Sequence, residues 1–182
     1  DYKKLTDAEA KYEELIVQNN DEKIAAIGKE TAGSDAWKQK VEEAKAAYNS
    51  LSGELKEKVS DEDVKKLTDA EAEYNRLKEE EDKEKANEAI AKINGIGEVA
   101  NTADSKKKIE EARSAYDSLT EAQKALVSEQ DYKKLTDAEA KYEELIVQSV
   151  VEKIKAIGKE TAGSDAWKQK IEEARAAYDS LS

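Results

Sequence analysis

Apolar residues recur along this chain at intervals of three and four, in three patterns that follow one another in a fixed order. The first is Ile24 and Ile27 closed by Gly28; it returns as Ile93, Ile96 and Gly97, and again as Ile154, Ile157 and Gly158. A glycine just past the last periodic position predicts a helix that ends in the left-handed conformation. The second pattern is Val41, Ala44, Tyr48 and Leu51, repeated at Ile109, Ala112, Tyr116 and Leu119 and at Ile171, Ala174, Tyr178 and Leu181. Spacings of three, four and three line one face of a helix, and the other face here is Glu, Lys and Arg. The third pattern, Val64, Leu67, Tyr74 and Leu77, is matched by Tyr132, Leu135, Tyr142 and Leu145 and by Tyr2, Leu5, Tyr12 and Leu15. The tyrosines fall on these apolar stripes and are expected to pack in cores with their hydroxyls at the edge.

The intervals between patterns separate loops from helix. Ile27 to Tyr48 spans 21 positions but Ile96 to Tyr116 only 20. One inserted residue would rotate a helix by about 100°, so this stretch is expected to contain a loop, with Ser34 or Asp35 as the following N-cap. Thr120 and Gln123 have the spacing of a capping box and predict a short helical turn before Val127. Ser60 with Asp63, and Ser128 with Asp131, mark the next helix starts. The passage from pattern three to the following pattern one behaves differently: Leu15 to Ile24 and Leu145 to Ile154 are both nine residues, Leu77 to Ile93 sixteen. Seven extra residues make nearly two turns, about 700°, which keeps the stripe in phase only if the segment is helical.

The predicted fold is therefore all-α: tandem three-helix bundles joined by continuous helices, in the manner of a spectrin-like rod. The frame reads residues 1–18 as the third helix of a preceding module, 19–80 and 81–148 as complete modules, and 149–182 as the first two helices of a further one. Residues 1–52 return as 131–182 with seven differences, 45 of 52 identical. Near-verbatim repetition points to an array that continues beyond this window, and arrays of this kind build surfaces and scaffolds more often than a single catalytic pocket.

Composition narrows the function. No Pro and only seven Gly interrupt a chain in which 41% of residues are charged, yet the apolar spacing is too regular for a disordered polyampholyte. A net charge of −12 with no basic stripe argues against nucleic acid and against anionic lipid. No apolar run is long enough to span a membrane, so membrane insertion is not expected. With neither His nor Cys, the usual general base, thiol nucleophile and zinc ligands are missing. The chain is expected not to be an enzyme, with no catalytic residue, cofactor or metal. The acidic run Glu79, Glu80, Glu81 and Asp82 lacks the Gly-containing loop of a tight calcium site and reads as a solvated helical junction.

The run ARSAYDSLTEAQKALV at 112–127, followed by YKKLTDAE at 132–139, resembles tandem three-helix-bundle repeat modules of Gram-positive bacterial cell-surface, wall-anchored proteins. The resemblance spans essentially the whole chain. It implies an extracellular location on the bacterial surface and, as function, an adhesin array that binds a host protein such as immunoglobulin or serum albumin. The alternative it implies is a ligand-free stalk that projects another domain from the wall. No binding motif of those families can be placed on particular residues here.

Trp37 and Trp167 are the candidate protein-binding residues, each in a Ser-Asp-Ala-Trp sequence at the start of a pattern-two helix where the intervening repeat carries Ser105. Tryptophan at a loop edge can anchor a partner, and it can equally cover the end of its own core. A separate expectation concerns self-association: residues 1–18 offer a third helix, residues 149–182 offer a hairpin without one, and the two could join head to tail between copies.

Overall fold

The structure is a computed structural model that describes residues 2–181. Among these, all regular structure is helical: α1 (Tyr2–Ile27), α2 (Asp35–Ser50), α3 (Gly53–Lys56), α4 (Asp61–Asn94), α5 (Ala103–Asp117), α6 (Glu121–Lys124), α7 (Glu129–Ile157) and α8 (Asp165–Asp179). Asp1 and Ser182, included above in the segments 1–18 and 149–182, lie outside the described residues. The chain divides into two compact units, Asp1–Glu81 and Asp82–Ser182.

Side chains fix the helix starts. Ser34 is the N-cap of α2, its hydroxyl accepting from the Trp37 amide at 3.1 Å, and Ser164 does the same for Trp167 at 3.1 Å. Ser60 accepts from the Asp63 amide at 3.1 Å, Ser128 from Asp131 at 3.0 Å. Each bond satisfies one of the amides that a first turn leaves without an intrahelical partner. At Thr120 both halves of the capping box form: the Gln123 amide donates to Thr120 Oγ1 at 3.3 Å, and the Thr120 amide donates to Gln123 Oε1 at 3.0 Å. Asp61 to Asn94 is one uninterrupted helix, as the seven-residue phase argument requires.

The helix ends depart from the expectation at two glycines. Gly97 has the left-handed conformation, φ 68°, but Gly28 and Gly158 do not; the other left-handed glycines are Gly33 (φ 85°) and Gly163 (φ 84°). The reason lies in how α1 and α7 finish. Lys29 and Glu30 donate to the carbonyls of Ala26 and Ile27 at 3.2 and 3.3 Å, and Lys159 and Glu160 repeat this on Ala156 and Ile157. Tightened bonds of this i to i+3 type use up the last carbonyls without a left-handed residue. The reversal is deferred to Gly33 and Gly163, just before the next N-cap.

In the first unit, Val17, Ile24 and Ile27 of α1 share a core with Val41 and Ala44 of α2 and with Leu67 of α4. Leu51 and Val59, on either side of α3, close one end. In the second unit, Ile93 and Ile96 meet Ile109 and Ala112 of α5 and Leu135 and Ala138 of α7. Ala86 and Ala89 of α4 form a further cluster with Leu119 and Val127 around α6. Each buried Leu or Ile contributes roughly 1.5–3 kcal/mol. Ala44 and Ala112 are both fully buried within these cores.

The tyrosines divide. Tyr48, Tyr74, Tyr116 and Tyr142 are half-buried against these cores, whereas Tyr2, Tyr12, Tyr132 and Tyr178 are exposed. Tyr12 shares its stripe position with Tyr74 and Tyr142, and Tyr178 with Tyr48 and Tyr116; what differs within each set is whether a neighbouring helix covers it.

Candidate interaction surface

Both tryptophans occupy the third residue of their helix, placed there by the preceding serine cap. Trp37 is 5% exposed and faces the Tyr74 ring of α4, with ring centroids 6.4 Å apart and planes at 30°. The Tyr74 hydroxyl in turn donates to the Glu42 carboxylate, which raises the phenol's pKa. Trp167, in the same local sequence, is only partly buried. Ser105, at the equivalent position of α5, is 5% exposed and accepts from the Ala100 amide at 3.1 Å, so a hydrogen bond to the loop replaces the indole. The two tryptophans lie in different units, each at the start of its own hairpin.

The contrast extends along the two hairpins. Residues 19–52 and 149–182 differ at seven positions, and the exposure of identical residues diverges widely. Ile24 is 1% exposed and its counterpart Ile154 is 46%; Leu51 is 7% and Leu181 is 42%. In the first unit the first part of α4 covers this face. In the second, among the described residues, the corresponding face of α7 and α8 is open, and Ile154, Ile157, Ile171, Ala174, Arg175 and Tyr178 line a groove of about 230 Å³. A third apolar face is open on α1, where Leu5 is 55% and Tyr12 68% exposed.

A polar pairing accompanies each covered face. Arg113 of α5 donates to both carboxylate oxygens of Glu139 on α7, at 2.7 and 2.6 Å, and its guanidinium lies 5.8 and 5.7 Å from the Tyr116 and Tyr132 rings. The Glu139 bonds hold the guanidinium's pKa above its ordinary value. At the equivalent positions of the first unit, Lys45 of α2 pairs with Glu71 of α4 at 3.0 Å. Sequence reading passed over this pair. The signal was present in the repeats, because Lys45, Arg113 and Arg175 are equivalent, as are Glu71, Glu139 and Glu9.

The acidic run is engaged side chain by side chain. Glu80 pairs with Arg76 at 2.6 Å, Glu81 with Lys38 at 3.1 Å, and Asp82 accepts from Gln123 at 2.8 Å. Among the described residues no group of three or more acidic side chains is arranged to hold a metal ion, and no helix is long and apolar enough to cross a membrane. Asn20 was also missed: it is 1% exposed, and neither its amide nitrogen nor its oxygen has a protein hydrogen-bond partner. No protein-family model, curated protein or solved structure matches the chain.

Proposed function

We propose that the chain is a non-enzymatic repeat segment of a bacterial cell-surface protein, built as tandem three-helix bundles in which the third helix of one runs on as the first of the next. Its task in this reading is that of a spacer carrying another domain away from the wall. The bundle arrangement is supported by the shared cores of α1, α2 and the start of α4, and of the end of α4, α5 and the start of α7. One observation carries the spacer role. A face that captures a host protein needs a contiguous apolar patch; none lies on α2, α4 or α5 among the described residues, and the apolar faces open on α1 and on α7 and α8 are the ones that helix packing covers in the first unit. What those helices present to solvent is charge, arranged in pairs three and four residues apart such as Lys65 with Asp69 and Lys108 with Asp104.

Capture of immunoglobulin or serum albumin is the second reading, and Trp167 is the residue that favours it, since part of a large aromatic at a helix start is open to a partner. Trp37 supports it less, with its ring in the core. Interferometry on the immobilised chain separates the two readings. The spacer predicts no saturable binding of either serum protein up to about 10 µM, a range that covers any affinity useful for capture. Saturable binding that disappears in Trp167→Ala, with helix content unchanged, would overturn the spacer in favour of capture.

A further inference from the structure

We propose that the first half of α1 in one copy of this chain docks on the α7–α8 hairpin of a second copy, completing there the core that α4 completes over α1 and α2. The inference uses the bundle arrangement proposed above and is independent of whether a host ligand exists.

The covered hairpin supplies the template. On α4, Leu67, Ala70, Tyr74 and Leu77 follow one another at intervals of three, four and three, and Leu67 is 2% exposed against α1 and α2. On α7 the same series begins at Leu135, fully buried against α5. The series on α1, Leu5, Ala8, Tyr12 and Leu15, has identical spacing, and its three large members are 55, 68 and 51% exposed. The remainder of α1 is already committed, with Val17, Ile24 and Ile27 in the core of its own unit.

The acceptor is the hairpin with the open groove. It repeats the α1–α2 hairpin almost residue for residue, so a helix bearing the α4 series meets on it the same knobs and gaps: Ile154 for Ile24, Ile171 for Val41, Ala174 for Ala44. Seating Leu5 and Tyr12 there removes apolar surface of both partners from water, which is the main driving term for such a contact. Seven differences separate the hairpins, and one of them makes the open face more apolar: Val151, 41% exposed, stands where the first unit has Asp21.

Charge fixes the register. Each covered hairpin carries a cation on its second helix that meets a glutamate of the covering helix, Lys45 with Glu71 and Arg113 with Glu139. The equivalent cation on α8 is Arg175, whose nearest carboxylate is Asp179 of its own helix at 4.0 Å. The equivalent glutamate on α1 is Glu9, exposed and without an ion pair among the described residues. Aligning Leu5 with Leu67 and Leu135 brings Glu9 to the position of Glu71 and Glu139, opposite Arg175. A slip by one residue would lose both the apolar and the ionic match. Donor and acceptor are different surfaces, so each copy added keeps one of each free and the association is open-ended.

Sedimentation velocity of the whole chain in 0.15 M salt tests this, between about 1 µM and 1 mM, because a contact made by one short helix should have a Kd on the order of 10–100 µM. The expected result is a weight-average mass that climbs through dimer and beyond with concentration. Leu5→Asp should weaken association at least about 100-fold, as expected for loss of a buried leucine, and Ile154→Asp should do the same from the other side. Glu9→Arg or Arg175→Glu alone should weaken it about tenfold, and the chain carrying both reversals should recover most of that loss. All four positions are exposed in the single chain, and unchanged far-ultraviolet circular dichroism confirms that the variants fold. A parent chain that stays monomeric at the highest concentration overturns the proposal. So does association that Leu5→Asp and Ile154→Asp leave unchanged, which would place the contact elsewhere, or a double reversal that fails to recover.

Discussion

Replacing Asn20 by valine should stabilise the first unit, although it removes a polar group from the helix that links two patterns. Asn20 is 1% exposed, and its buried amide nitrogen and oxygen make no protein hydrogen bond of ordinary geometry, although the side chain comes close enough to the Asp21 carboxylate to oppose the rise in that group's pKa. A buried polar group left unpaired costs about 1–3 kcal/mol, because water bonds are lost and nothing replaces them. Valine contributes instead part of the roughly 1.5–3 kcal/mol of a buried aliphatic side chain, and asparagine and valine have nearly equal helix propensity. Together these give about 2–4 kcal/mol in favour of Asn20→Val. The repeat has made this substitution already: Val150 occupies the equivalent place and is 4% exposed. Urea unfolding in a Trp167→Phe background isolates the first unit, since Trp37 is then the only indole. With a slope near 1 kcal/mol/M for a unit of this size, the Trp37 transition should move up by about 2 M or more. An unchanged or lowered midpoint would refute the reasoning, since it would mean that burial of the Asn20 amide carries no penalty in the folded chain.

Three further outcomes follow from local surroundings. Gly33→Ala should cost about 1–2 kcal/mol, because φ is 85° and the new Cβ would lie 3.3 Å from Leu77 Cδ1, whereas Gly28→Ala, with nothing nearer than 3.8 Å and no positive φ, should be neutral or slightly stabilising; paired urea curves check the contrast. Acid unfolding should depend on the serine caps: the Ser60 and Ser128 hydroxyls, bonded at 2.7 Å to Asp63 and Asp131, hold both carboxyls below the ordinary aspartate pKa of 3.8. Their folded values are depressed, so the stability they supply is complete above that pKa and is lost as pH falls through it. Ser60→Ala should therefore flatten the acid limb as well as remove about 1 kcal/mol of capping at neutral pH. Asp21 has the opposite sign, since burial raises its pKa; its contribution is complete below 3.8 and declines as pH rises through the elevated value, and Asp21→Val should abolish that decline in a pH series of urea curves.

How much of this is legible in the sequence depends on how local the determining physics is. Caps were legible because they are local: a serine two or three residues before an amide either reaches it or does not, and Ser34, Ser60, Thr120 and Ser128 all reach theirs. The continuous run from Asp61 to Asn94 was legible because phase over sixteen residues tolerates only one period. The mistaken glycines were nearly local, since the choice between Gly28 and Gly33 turned on whether α1 would finish with tightened turns, and both residues satisfy the sequence rule. Burial was not legible, because it belongs to the neighbour. Trp37 and Trp167 share the sequence around them, the cap and the helix position, and one lies in a core while the other is only partly buried.

That last difference bears on what the repeats preserve. If each hairpin were under no requirement beyond folding on its own, the face of α7 and α8 that stands open would be free to accept polar substitutions. Between residues 19–52 and 149–182 the changes on that face run the other way: Asp21 becomes the exposed Val151, Val41 becomes Ile171, and Lys45 becomes the more strongly bidentate Arg175. The one change toward charge at the hairpin's first helix, Ala25 to Lys155, falls on an exposed position in both copies. Apolar area on a surface open to water costs solubility and returns nothing unless something covers it. The substitutions thus keep an acceptor face intact, and among the described residues the helix with the matching stripe uncovered, and with a glutamate in register for Arg175, is α1.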